Sequence, residues 1–124
     1  MIGYVTLGTN DLDKAVAFYD ELLKPLGAAR FMEEDQFVAW TTGPKRPGLS
    51  VTRPWDGRPA TVGNGTMVAL LADAPATVDA VHAKALLLGG TDEGAPGERG
   101  AGFYAGYFRD LDGNKLNVFC LTGS

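Results

Sequence analysis

A strand, a helix and a glycine turn follow one another twice along this chain, in the same order and at similar lengths. The first set places a β run at residues 2–8 and an amphipathic helix at about 13–24, and the second places a strand at 66–72 and a helix at 76–88. One constant offset pairs Val5 with Val68, Leu7 with Leu70, Ala17 with Ala80, Leu23 with Leu86 and Gly27 with Gly90. Because strand, helix and turn recur together, we predict an internal structural duplication.

Further strands complete each repeated unit. After the first helix, short β runs fit at about residues 28–33, 37–42 and 49–53. Near the end of the chain, two apolar runs are joined by Asp110-Leu111-Asp112-Gly113-Asn114. A turn rich in Asp, Gly and Asn between such runs is typical of a β-hairpin. The predicted fold class is therefore α+β, with two βαβββ modules.

The length suits one domain and is too short for two ordinary ones. We predict a single domain over residues 1–124, with pseudo-repeats at about 1–54 and 66–121 and a linker of breaker residues at 55–65. Each module has one apolar sheet face under its helix. The modules are therefore expected to form a curved mixed sheet whose other face surrounds a cleft.

Two segments carry a resemblance to a known family. The opening Met1–Tyr19 looks like the first strand and helix of the glyoxalase/bleomycin-resistance/dioxygenase proteins, the vicinal oxygen chelate superfamily, and Gly102–Phe119 closely resembles their terminal hairpin. The resemblance extends over the whole chain. It implies a glyoxalase-like cleft for a small-molecule ligand and a homodimer.

The chain departs from that family at the metal. Most catalytic members carry His, His and Glu as ligands, and the matching positions here are Tyr4, Met67 and Asn117, with Ser50 or Thr52 as the fourth. None of these supplies an imidazole or a carboxylate near neutral pH. The only histidine, His82, falls on the second helix, where a surface or packing role is the ordinary one. We therefore expect no metal and no cofactor.

Aromatic and neutral polar residues are the predicted lining of the cleft. Alternation along a strand places Val5 and Leu7 under the helix, which leaves Tyr4 and Thr6 on the cleft side. The candidate ligand-binding residues are Tyr4, Thr6, Trp40, Ser50, Met67, Phe103, Tyr104, Tyr107, Asn117 and Phe119. Aromatic walls suit flat or apolar ligands, although core packing is the favoured role for Trp40 and for Phe119 taken individually.

Other chemistries find little support in the sequence, and no catalytic residue is assigned. Neither Ser50 nor Cys120 has a general base in view, and Cys120 lies at the end of an apolar strand as a buried thiol. The glycine-rich segment 94–100 is expected to form a mobile flap over the cleft. Arg99 and Arg109 could then attract an acidic ligand.

Charge and cysteine content limit the partners. A net charge of -4 without a basic run gives no footprint for nucleic acid or an anionic membrane, and no apolar run is long enough to cross a bilayer. One cysteine and no exported leader favour a cytoplasmic location.

Three functions are compared. The preferred one is a metal-free protein that binds a small, partly aromatic or apolar organic molecule. The alternative is a lyase, isomerase or dioxygenase of the same superfamily, metal-dependent or using Tyr4 as an acid or base. The third is a protein whose dimer or partner contact is itself the function.

Overall fold

The computed structural model describes residues 1–123 of the chain. The first module contains β1 (Tyr4–Gly8), α1 (Leu12–Leu22), a short 3-10 helix (Lys24–Leu26), β2 (Ala29–Glu34), β3 (Phe37–Thr41) and β4 (Gly48–Thr52). The second contains β5 (Val68–Leu71), α2 (Pro75–Leu87), β6 (Thr91–Glu98), β7 (Phe103–Arg109) and β8 (Lys115–Leu121).

Each module forms a mixed sheet of four strands. The first has the order β1-β4-β3-β2 and the second the order β5-β8-β7-β6, so the two modules share one topology. In each, the first and last strands of the module run parallel and the remaining neighbours are antiparallel. The predicted α+β fold with two βαβββ modules is confirmed.

Local sequence sets the limits of the first helix. The Asp11 carboxylate caps its N-terminus by accepting a hydrogen bond from the Lys14 N–H at 3.2 Å. The helix ends at Leu22 ahead of Pro25, and Gly27 closes the following 3-10 turn with a positive φ of 80°. It therefore begins one residue before the predicted start and ends two before the predicted end.

The helices pack on the inner faces of the two sheets and build one continuous core. Phe18, Tyr19 and Leu22 of α1 are fully buried, as are Val78 and Val81 of α2. These five side chains belong to one apolar cluster with residues of both sheets. The second faces of the sheets are left on the outside of this core.

Trp40 belongs to this core, which is the role favoured for it from the sequence, so its place among the candidate cleft residues is wrong. Its indole N–H donates to Asp20 Oδ1 of α1 at 2.9 Å, and its ring lies 5.7 Å from that of Tyr19. Along β3 it alternates with Ala39 and Thr41, which belong to the opposite face. The alternation of side chains along β3 determines which face of the sheet the Trp40 ring occupies, and its aromatic character does not.

The buried carboxylate of Asp110 links the two modules through hydrogen bonds. Asp110, in the turn between β7 and β8, accepts a hydrogen bond from the Tyr19 hydroxyl of α1 at 2.6 Å. It also accepts from the Asn114 side chain, which donates to the Gly8 carbonyl of β1 at 2.9 Å. Burial and the Asp110 charge raise the pKa of the Tyr19 phenol, so the hydroxyl stays a donor.

The segment predicted as a flap is largely strand. Residues 94–98 belong to β6, which pairs antiparallel with β7 through two irregularities of register. The segment lacks an apolar alternation because β6 is an edge strand, where Gly94 and Pro96 are tolerated. The flap is therefore a wrong prediction.

Within residues 1–123, neither helix has the length and apolar character needed to cross a bilayer.

Candidate functional site

The outer face of the first sheet carries three of the predicted site residues. Tyr4 and Thr6 lie opposite the buried Leu7, and Thr6 is in register with Ser50 of β4. The Thr6 and Ser50 hydroxyls are 2.7 Å apart, and Ser50 donates to the Val5 carbonyl at 3.1 Å. The structure therefore brings Tyr4, Thr6 and Ser50 together on one face, as predicted.

A cavity of about 860 Å³ lies at this face, and we call it the first-sheet cavity. It is lined by Tyr4, Thr9, Asn10, Met32, Glu34, Gln36, Phe37, Thr52, Arg53, Pro54, Trp55, Gly57, Arg58 and Pro59. Its volume is that of a site for a small organic molecule.

Three aromatic rings, those of Tyr4, Phe37 and Trp55, contribute to the walls of the first-sheet cavity. Tyr4 and Phe37 pack edge to face with ring centroids 6.1 Å apart. Trp55 is fully exposed to solvent at 103% of its reference area, and Tyr4 is 52% exposed. Large rings left open beside a cavity offer apolar surface that a bound ligand can cover.

The loop that carries Trp55 is held at both ends. The Gly57 N–H donates to the Pro54 carbonyl at 3.1 Å, and Gly57 has the positive φ of 75° that such a turn favours. Farther along, Ala60 N–H donates to the Asn10 side chain at 2.7 Å. These bonds place the segment predicted only as a linker along the rim of the cavity.

Sequence reasoning missed Phe37, Arg53, Trp55 and Arg58 as cavity residues. A signal was available in the sequence, because a tryptophan and two arginines lie among the breaker residues in and beside the predicted linker. A loop that is merely solvated has no need of an aromatic ring. Phe37 could have been found from alternation, since it is two residues from Ala39 on the face opposite Trp40.

The other predicted residues belong to the second sheet. Phe103 and Phe119 stack with centroids 5.1 Å apart, and Tyr107 lies across from Asn117 in the β7–β8 ladder. Asn117 is only 2% exposed, and its side-chain oxygen has no hydrogen-bond partner among residues 1–123. An orphaned buried carbonyl of this kind is costly unless a donor reaches it.

Tyr104 faces the helix and not the outer surface, so its predicted place in the cleft is also wrong. It is in register with the buried Cys120, and its hydroxyl donates to Asp79 of α2 at 2.7 Å. That hydrogen bond raises the pKa of the Tyr104 phenol. The alternation that places Phe103 outside necessarily turns Tyr104 inwards.

Among residues 1–123, the first-sheet cavity does not extend to the outer face of the second sheet. The sheets have no hydrogen-bonded strand in common, and the residues of the first-sheet cavity all come from the first module and the segment after it. Tyr4 and Ser50 therefore lie on one sheet, and Asn117 lies on the other, with Met67 just before β5.

The residues at the matching positions do not fit a divalent metal. Tyr4, Ser50, Met67 and Asn117 offer a neutral phenol, hydroxyl, thioether and amide. Across residues 1–123, no three His, Cys, Asp or Glu side chains cluster as a metal site would require. His82 is buried on α2, with Nε2 3.0 Å from Asp92 Oδ1 and 3.2 Å from the Tyr107 carbonyl.

The structure also shows the contacts of Arg99, Arg109 and Cys120, which were considered from the sequence. Arg109 is paired with Glu93 at 2.5 Å, whereas Arg99 donates to the Ala95 carbonyl and lies over the Tyr107 ring. Cys120 is buried, and that burial raises the pKa of its thiol, which disfavours the nucleophilic thiolate.

Comparison with known proteins identifies the family. The model of the Glyoxalase/Bleomycin resistance protein/Dioxygenase superfamily matches residues 1–118. The chain therefore belongs to the glyoxalase/bleomycin resistance protein/dioxygenase superfamily, as the resemblance indicated. No curated protein matches it.

Solved structures agree over nearly the whole chain. A glyoxalase/bleomycin resistance protein from Albidiferax ferrireducens T118 is 36% identical, with a TM-score of 0.88 and coverage of 97% of this chain and 98% of that one. Lactoylglutathione lyase from Agrobacterium tumefaciens is 27% identical, with a TM-score of 0.72 and coverage of 97% and 92%. A family enzyme from Burkholderia phytofirmans PsJN shares the fold at 20% identity, with a TM-score of 0.77 and coverage of 96% and 97%.

Proposed function

We propose that this protein binds a small, partly aromatic organic molecule in the first-sheet cavity without the help of a metal. The observation that carries the proposal is the cavity itself, about 860 Å³ in volume and walled by Tyr4, Phe37 and Trp55. Its volume is in the range of sites for small organic molecules, and its walls offer rings to stack against.

The chemistry of the family's ligand positions supports binding over metal catalysis. A metal that polarises an oxygenated substrate needs imidazole or carboxylate donors, and Tyr4, Met67 and Asn117 provide neither. Hydroxyl and amide groups such as those of Tyr4 and Gln36 remain able to orient a ligand through hydrogen bonds.

Indole-3-acetamide is a suitable neutral probe of the first-sheet cavity. We expect it to shift the indole N–H signal of Trp55 saturably in ¹⁵N-labelled protein, because that ring is open to solvent at the cavity. The Trp40 signal serves as an internal reference, since its N–H is bonded to Asp20 in the core. Phe37→Ala is expected to weaken binding about tenfold, the loss of roughly one aromatic contact.

The matched control is Leu87→Ala, which removes an exposed apolar side chain from α2, away from the cavity. That variant is expected to bind the probe as the parent does. A probe that leaves the Trp55 signal unmoved at saturating concentration, or equal affinity in Phe37→Ala and the parent, contradicts the proposal.

We further infer that two copies of the chain associate through the edges of their sheets. Strands β1 and β5 each have one edge without a partner, and Ile2, Met67 and Leu71 expose apolar side chains beside them. A two-fold dimer that sets β1 of one copy beside β5 of the other covers both edges at once. The second-sheet face carrying Asn117 would then complete the wall of the first-sheet cavity.

The partners proposed are therefore a small molecule and a second copy. Neither a nucleic acid nor a membrane surface is among them, because the chain carries a net charge of -4. The buried, unpaired Cys120 supports a reducing compartment such as the cytoplasm.

A further inference from the structure

We propose that the ligand of the first-sheet cavity carries a carboxylate, which Arg53 and Arg58 bind. This inference rests on the proposed function and narrows it to aromatic carboxylates. It depends on the charges around the cavity and on how the arginines of the chain are paired.

Arg53 and Arg58 both line the first-sheet cavity, and neither guanidinium group has a carboxylate within 4 Å among residues 1–123. Two other arginines do have such partners. Arg30 is paired with Asp20 and Glu33, and Arg109 is paired with Glu93. Two guanidinium groups at the cavity are therefore available to a ligand.

Backbone hydrogen bonds hold the main chain of Arg53 and Arg58 in place. The Arg53 N–H donates to the Gln36 carbonyl at 3.0 Å, directly after β4. The Arg58 N–H donates to Asp56 Oδ1 at 2.9 Å in the turn that presents Trp55. The two arginines precede and follow Trp55 in the chain, and all three residues line the same cavity.

The charge at the cavity favours an anion. Glu34 is the one acidic residue among those that line it, against two arginines, although the whole chain carries a net charge of -4. A cationic ligand would meet two guanidinium groups there. A carboxylate matches the planar donor fork of a guanidinium and forms charge-assisted hydrogen bonds with it.

The test compares two probes of nearly the same shape, the anionic indole-3-acetate and the neutral indole-3-acetamide. At one ionic strength, we expect the acetate to bind about tenfold more tightly, as judged by calorimetry and by the Trp55 indole signal. In the double variant Arg53→Gln/Arg58→Gln, the two probes should bind equally, with the affinity for the amide unchanged. Added salt should lower the affinity for indole-3-acetate but not the affinity for indole-3-acetamide.

Arg46→Gln is the matched control, because the Arg46 guanidinium also has no carboxylate within 4 Å in the described part of the chain, but lies outside the first-sheet cavity. It is expected to keep the preference for the acetate. Equal binding of both probes by the parent overturns the carboxylate inference and leaves the proposed function standing. A Trp55 signal unmoved by both probes overturns the proposed function as well.

Discussion

Asp110→Ala is expected to lower the free energy of unfolding by about 3–5 kcal/mol, because it removes the acceptor on which several buried donors depend. The carboxylate is only 5% exposed and accepts from the Tyr19 hydroxyl, the Asn114 side chain and the N–H groups of Asp112 and Asn114. Without it, the Tyr19 hydroxyl is left buried and unpaired, and the link between α1 and the β7–β8 turn is lost.

Urea denaturation followed by far-ultraviolet circular dichroism measures this loss. Tyr19→Phe removes one of the donors and should cost about 0.5–1.5 kcal/mol. The matched control is Asp35→Ala, in the exposed turn between β2 and β3, which should stay within about 0.5 kcal/mol of the parent. If Asp110→Ala costs no more than this control, the carboxylate does not fasten the modules together.

Trp40→Ala is expected to cost about 3–5 kcal/mol of stability, because it opens a cavity in the core. Trp40 is 2% exposed, packs against Tyr19 and donates to Asp20, whose own pKa is lowered mainly by its hydrogen bond to Arg30. Trp55→Ala removes the same ring from a fully exposed position and should change stability by less than about 0.5 kcal/mol.

The two tryptophan variants also separate structure from binding. Trp55→Ala should weaken indole-3-acetamide about tenfold, because the ring lines the first-sheet cavity. The milder Trp40→Phe should leave that affinity unchanged while lowering stability. If Trp40→Phe is folded and stable but no longer binds indole-3-acetamide, Trp40 contributes to the binding site. That result would contradict its assignment to the core.

Much of the fold could be predicted from the sequence because it follows from local patterns. The three- and four-residue spacing of apolar residues predicted α1, and alternation in β1 correctly placed Tyr4 and Thr6 opposite Leu7. The Asp-Gly-Asn turn of the last hairpin is equally local, with Gly113 at a φ of 92°.

The candidate site was harder to predict because its parts are joined by long-range contacts. The hydrogen bond from the Ala60 N–H to the Asn10 side chain places the Trp55 loop beside the first sheet. No local sequence pattern predicts a contact between residues so far apart in the chain. Trp40 and Tyr104 were assigned to the cleft for being aromatic, although alternation along β3 and β7 turns both towards the helices. Alternation was the better guide wherever the two arguments disagreed.

Native mass spectrometry, compared with the denatured chain mass, is the most direct test of a metal-free binding protein. It would be run on protein as purified and again after equimolar Zn²⁺, Mn²⁺ or Ni²⁺ and desalting. We expect a dimer without stoichiometric metal in every case, since Tyr4, Met67 and Asn117 are poor ligands. One retained divalent ion per chain would contradict this proposal and favour a metal-dependent enzyme, and a monomer would contradict the proposed pairing of sheet edges.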